Sequence, residues 1–202
     1  MVKLLNNRLF YLHRGGTKLK SRILVVGMLC LLFLIGCSKS EEPSFEDFFH
    51  TEMEKTKDEY GDEFDYAYSL VYTKVHTMNQ HDDATAIFTE HNPNGDQIFI
   101  AYFEKEKEKW EWKQTRGAEW DDPVQWSAMN EEPYIYSGTL TDDSISHMFA
   151  GDEPAEIIEV EKGKRFWYAI SDVQDVKVKA VKEDGTEENV EEIDEGRVKK
   201  VE

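Results

Sequence analysis

Three kinds of apolar spacing follow one another along this chain. From Ile23 to Ile35 thirteen residues run without a charge. From Phe45 onward apolar residues return as Phe45, Phe48, Phe49 and Met53, the i, i+3, i+4, i+8 spacing that gathers them on one face of a helix. Ser44 is a capping residue, Asp47 stands three positions on near the positive end of the helix, and Gly61 supplies a stop. A helix is therefore predicted from Ser44 to about Tyr60, with its apolar face covering a sheet edge or end. After Gly61 the period falls to two. Phe64, Tyr66, Tyr68, Leu70 and Tyr72 alternate with mostly smaller residues, as on one face of a strand, with a helix as the competing reading.

The same period continues through Ala84 to Glu90, a second strand. Asn92-Pro93-Asn94-Gly95-Asp96 is a turn, because Asn and Gly accept positive φ and Pro offers no ladder donor. Gln97 to Glu104 is apolar on both faces, which predicts a central strand covered on both sides. Alternating Glu and Lys from Glu104 to Lys109 read as a solvated hairpin turn, and Trp110, Trp112 and Gln114 mark a fourth strand, completing an antiparallel meander. Residues 117–133 show no period and are expected to form a long loop. Short β segments follow at Tyr134 to Leu140, Ile145 to Ala150, Ala155 to Val160, Phe166 to Ile170 and Val176 to Val181, with a hairpin at Asp184-Gly185. The predicted fold is mostly β, of α+β class: a helix and meander over 44–116, the loop 117–133, and a sandwich-like or small-barrel part over 134–202. That last part is either separate from 44–116 or continuous with it.

The uninterrupted run changes what the first residues are for. At about 1.5 Å per residue it spans roughly 20 Å, short of the ~30 Å of a bilayer core, which favours a transient signal over a permanent span. Lys18, Lys20 and Arg22 precede it, and Leu34-Ile35-Gly36-Cys37 closes it. These features resemble the signal peptide and lipobox of bacterial lipoproteins. The resemblance implies that residues 1–36 are the signal peptide, that cleavage falls between Gly36 and Cys37, and that Cys37 carries a diacylglyceryl group on sulfur. Residues 37–43 then form a polar tether, and the protein is lipid-anchored at the outer face of the membrane. A thiol suits that position because its thiolate is a strong nucleophile near neutral pH. Two acyl chains at about 0.8 kcal/mol per buried methylene hold firmly. An uncleaved signal anchor is the alternative. Residues 1–18 exceed such an n-region in length; Arg14-Gly15-Gly16 reads as a translated ribosome-binding site and Leu19 as a TTG start, so these residues are expected to be a mis-annotated start.

A second similarity concerns the C-terminal half. Arg165-Phe166-Trp167-Tyr168 precedes a Val176-Lys177-Val178 strand and an Asp-Gly hairpin, as in a type of small exported domain of Gram-positive bacteria with no assigned function. It carries no catalytic residues.

Composition sharpens the picture beyond the leader. Six of the 24 Lys and Arg precede Cys37 and none of the 42 Asp and Glu does, so 18 basic side chains meet 42 acidic ones and the remainder has a formal charge of −24. Such a chain is repelled by nucleic acid and by anionic head groups, which excludes DNA and RNA as expected partners. Its acidity either keeps an envelope protein soluble or attracts a basic partner. Both cysteines, Cys30 and Cys37, fall in the leader and its boundary, so no disulfide is expected to hold the fold. All five Trp lie beyond Cys37, too aromatic a composition for a disordered stalk.

Candidate chemistry is sparse. His76, His81, Asp82, Asp83 and His91 cluster in sequence without a familiar ligand spacing, and the histidines read as adventitious surface residues rather than zinc ligands. Asn92 to Asp96 lacks the twelve-residue calcium pattern. No G-x-S-x-G elbow or P-loop occurs. Asp121-Asp122 and Asp142-Asp143 are candidate acid/base pairs for glycoside hydrolysis, which needs carboxyls about 5 to 9 Å apart, although pairs arise without purpose in so acidic a chain. Trp110, Trp112, Trp120 and Trp126 either fill the core or form a contact surface. Trp120, Asp121, Asp122 and Trp126 are the candidate binding surface, with Trp126 expected as an anchor and Trp120 as the more exposed ring. The function expected is a non-enzymatic binding or envelope module without cofactor. A cell-wall-active hydrolase, and an inhibitor or immunity lipoprotein for a basic secreted partner, are the alternatives.

Overall fold

The computed structural model describes residues 43–61, 64–75 and 82–192. The leader, the lipobox with Cys37 and the tether to residue 42 lie outside them, as do His76 and His81. The described residues belong to one compact unit.

Helix α1 spans Phe45–Tyr60. Its start is fixed reciprocally: the Asp47 amide donates to Ser44 Oγ at 3.1 Å and the Ser44 amide donates to Asp47 Oδ2 at 3.1 Å, satisfying donors that a helix end leaves open. Gly61, at φ 66°, ends it in a conformation that costs a residue without Cβ little. Phe45, Phe49 and Met53 are buried along one face. Complete burial of a side chain such as Phe49 contributes about 1.5–3 kcal/mol.

Among the described residues twelve strands form three antiparallel sheets. The first is the meander β1 (Ala67–Val75), β2 (Asp83–Asn92), β3 (Gly95–Glu106) and β4 (Lys109–Ala118), in that spatial order. The second runs β5 (Ser127–Ala128), β6 (Tyr134–Leu140), β10 (Lys164–Ser171), β9 (Glu156–Glu161). The third runs β12 (Glu187–Val190), β11 (Val178–Lys182), β7 (Ile145–Ala150), β8 (Glu153–Pro154). The α+β, mostly β, sandwich-like architecture expected from the periodicities is the one observed.

The packing is a stack of four layers. Helix α1 lies on one face of the first sheet, where Phe45, Phe49 and Met53 meet Ala86, Phe88 and Phe103. Ile87, Ile98, Ile100 and Tyr102 on the opposite face meet Ile135, Phe166 and Tyr168 of the second sheet. The far face of the second sheet, with Tyr136, Trp167 and Ala169, meets Met148, Val178 and Ala180 of the third. β3 thus has a core on each side, as its two apolar faces require.

Two bulges correct the face assignments drawn from simple alternation. In β1, Leu70 pairs with Phe88 but Tyr72 pairs with Ile87, so Val71 is an extra residue. Tyr66, Tyr68 and Leu70 point to the helix side, whereas Tyr72 points to the second sheet. In β4, Trp112 pairs with Phe103 and Gln114 with Tyr102. Lys113 is the extra residue there, and Gln114 does not share the face of Trp110 and Trp112.

The stretch 117–133 is also not one loop. Gly117 and Ala118 close β4, and the chain then runs along β6: Val124 bridges Leu140, the Gln125 amide donates to the Thr139 carbonyl at 3.0 Å, β5 pairs with Ser137 and Tyr136, and the Met129 amide donates to the Ile135 carbonyl at 2.9 Å. The close approach needs Gly138, where a Cβ would fall 1.7 Å from the Gln125 carbonyl oxygen.

Candidate functional site

The four residues singled out in the 117–133 stretch do not share one face. Trp126 is only 8% exposed and sits in the core between the second and third sheets. Its Nε1 donates to the Val190 carbonyl at 2.9 Å, and its ring centre lies 5.8 Å from that of Tyr136. Trp120 is half-buried against the core between the first and second sheets, with Lys164 Nζ 5.3 Å from its ring centre. Asp121 and Asp122 are exposed, and Asp122 accepts a hydrogen bond from Gln125 Nε2 at 3.1 Å. The reason is the pairing with β6, which turns Trp126 inward while the preceding acids stay in solvent.

The other acid pair is occupied in turn formation. Asp142 accepts from the Ser144 amide at 2.9 Å, and hydrogen bonding from Ser144 holds its carboxyl below the usual range. Asp143 is exposed. An open hollow of about 220 Å³ lies between β4 and the 128–131 segment, and Glu131 is its only acidic lining residue. Its floor is pinned: the Gln114 side-chain amide donates to the Glu131 carbonyl at 3.0 Å and accepts from the Glu131 amide at 3.3 Å, as one peptide group does for another. Arg116 Nε donates to the Ala128 carbonyl at 3.2 Å. Among the described residues no three His, Cys, Asp or Glu side chains converge as metal ligands would.

Two arrangements escaped the sequence reading. One is a polar clamp between the first two sheets. Glu156 accepts from the Tyr72 hydroxyl at 2.5 Å, from the Tyr168 hydroxyl at 2.7 Å and from Lys74 Nζ at 2.8 Å. Burial opposes ionisation of Glu156, but the bonds from Lys74, Tyr72 and Tyr168 outweigh it and hold the carboxyl below its ordinary value. Burial and then the bond to Glu156 push the Tyr168 hydroxyl far above its own. A carboxylate with three donors is a fastening rather than a free base. Its three partners come from β1 and β10, so only the fold assembles it.

The other is a series of six aromatic rings drawn from α1 (His50, Tyr60), the chain leading into β1 and its start (Phe64, Tyr66, Tyr68) and the end of β2 (His91). Successive ring centres run from His50 to Tyr68 at 5.8 Å, to Tyr66 at 6.4 Å, to Tyr60 at 4.9 Å, to Phe64 at 6.4 Å and to His91 at 5.6 Å. Tyr60 is stacked on Tyr66 with 19° between planes and Phe64 on His91 with 20°. Each stretch carries a carboxylate. Tyr68 donates to Glu54 at 3.3 Å, Tyr66 donates to Glu90 at 2.9 Å, and His91 Nδ1 lies 2.6 Å from Asp96 Oδ1. His50 Nδ1 lies 3.0 Å from the Tyr68 oxygen. Tyr60 is 38% exposed and the His91 side chain 52%. The aromatic run 64–68 was visible in the sequence. Its extension through α1 and the β2–β3 turn was not.

Compared with protein-family models, with curated proteins and with solved structures, the chain finds no match in any of the three.

Proposed function

We propose that this chain is an extracytoplasmic lipoprotein, held by lipid on Cys37 to the outer face of a bacterial membrane, whose folded part is a non-enzymatic binding module of the cell envelope. The observation that carries the reading is Leu34-Ile35-Gly36-Cys37 at the end of the charge-free run, followed by a short polar tether and a compact unit that begins at Pro43. Support for binding over catalysis comes from the candidate acids. Asp122 and Asp142 are tied into turns, and Asp121 and Asp143 stand in solvent. The rings of the series that reach solvent, His50, Tyr60 and His91 with half-buried Phe64 and Tyr68, by contrast, offer flat, rigid contact area at low entropic cost.

Cys37→Ala tests the anchor. The variant is expected to incorporate no labelled palmitate and to accumulate as an unprocessed precursor or a shed product. Incorporation equal to that of the parent chain overturns the reading.

A further inference from the structure

We infer that the solvent-reaching rings of this series, His50, Tyr68, Tyr60, Phe64 and His91, are the docking strip of this module, with Tyr66 buried beneath Tyr60 as its support, and that its ligand is a basic polypeptide presenting Arg or Lys side chains. The inference rests on the binding reading above and names the partner class for it.

Three observations converge. The first is the pairing of rings with acids. A phenol that donates to a carboxylate shifts electron density into its ring and deepens the negative face that attracts cations. Half-buried Tyr68 does so on Glu54; Tyr66 does so on Glu90, but its buried ring acts only through Tyr60, which stacks on it. The second is vacancy. Lys105 stands 5.8 Å from the ring centre of Trp110, and Lys164 stands over Trp120. Among the described residues no Lys or Arg stands over any of the six rings. The third is the field. A formal charge of −24 beyond the leader draws a basic chain from a distance, and the strip supplies the short-range contacts that charge alone lacks.

A glycan fits less well. Its hydroxyls carry no charge to draw on the field of the chain, whereas Glu54, Glu90 and Asp96 stand beside the rings with acceptor capacity left for a guanidinium or an ammonium. A cation draws on the field of those carboxylates without displacing the bonds.

The test uses the full chain in detergent micelles with a hexa-arginine peptide as probe and chitohexaose as competing ligand. Tyr60→Ala and Phe64→Leu leave the charge unchanged and are each expected to weaken peptide binding about 3- to 5-fold, as loss of an exposed cation–π contact does. Glu187→Gln removes one charge from β12, away from the strip, and is expected to change binding less than 2-fold at about 0.15 M salt, where exposed charges are screened beyond roughly 8 Å. Peptide binding that is unchanged in both ring variants, or that falls as much in Glu187→Gln, shows diffuse attraction only and overturns the strip. Binding of chitohexaose in place of the peptide overturns the partner class. Palmitate labelling is scored on the same preparations. Labelled protein with insensitive ring variants sinks the strip and leaves the anchor standing, and unlabelled protein with sensitive ring variants does the reverse.

Discussion

The Tyr72 hydroxyl donates to Glu156 Oε1 at 2.5 Å across 84 positions of sequence. This bond ties the edge of the first sheet to the edge of the second, and Lys74 and Tyr168 converge on the same carboxylate. In Glu156→Gln the amide keeps one acceptor oxygen and turns an NH2 toward groups that are themselves donors. The expected loss is about 2 kcal/mol in urea unfolding, within the range for leaving partly buried polar groups unmatched. A loss below about 0.5 kcal/mol would show that the clamp is ornamental.

The same clamp sets a pH signature. The folded pKa of Glu156 is depressed, so its contribution is present above the unfolded carboxyl value of about 4.3 and is lost as pH falls through the folded value. Lys74 is raised by its bond to Glu156, so its contribution is present below about 10.4 and is lost as pH rises through its folded value. The stability gap between the parent chain and Glu156→Gln is therefore expected to be widest near neutrality and to narrow as pH drops below about 4. A gap independent of pH from 7 to 3 contradicts this.

Gly138→Ala is expected to be among the most damaging single substitutions. The added carbon meets the Gln125 carbonyl oxygen at 1.7 Å and the Trp126 Cα at 2.8 Å, both backbone atoms. The 123–129 segment must lift off β6, which also breaks the bond from Trp167 Nε1 to the Gln125 carbonyl at 3.2 Å. A cost above about 3 kcal/mol is expected, since overpacking and a lost buried bond add. Equilibrium unfolding in urea measures it, and a cost under about 1 kcal/mol would refute the close approach.

Trp126→Ala and Trp120→Ala should separate clearly. The buried, hydrogen-bonded Trp126 is expected to cost about 3 to 5 kcal/mol, as other large-to-Ala core changes do. The half-buried Trp120 is expected to cost about 1 to 2 kcal/mol. A larger loss at Trp120 reverses their assignment.

The helix with its capping box, the meander and most of the later strands were legible because their signals are local: a cap three residues from its partner, a period, a turn dipeptide. Trp126 as an anchor was legible too, from a large ring in a stretch that needed holding. The faces of Tyr72 and Gln114 were not, because a bulge is one extra residue with no compositional mark. Glu156 looked like one acid among 42, since its three donors come from distant strands. The strand-like course of 123–129 was hidden for the opposite reason. Its determinant is not in the segment itself but in Gly138 opposite.

Val71 makes β1 a strand that serves two masters, and it does so by changing odd positions into even ones. Up to Leu70 the edge belongs to the helix; from Tyr72 it belongs to the second sheet. Deleting Val71 would restore an unbroken alternation that looks better on paper. It would also rotate Tyr72 and Lys74 toward the helix and take two of the three donors away from Glu156. For this edge, the irregular spelling is the one that holds the two halves together.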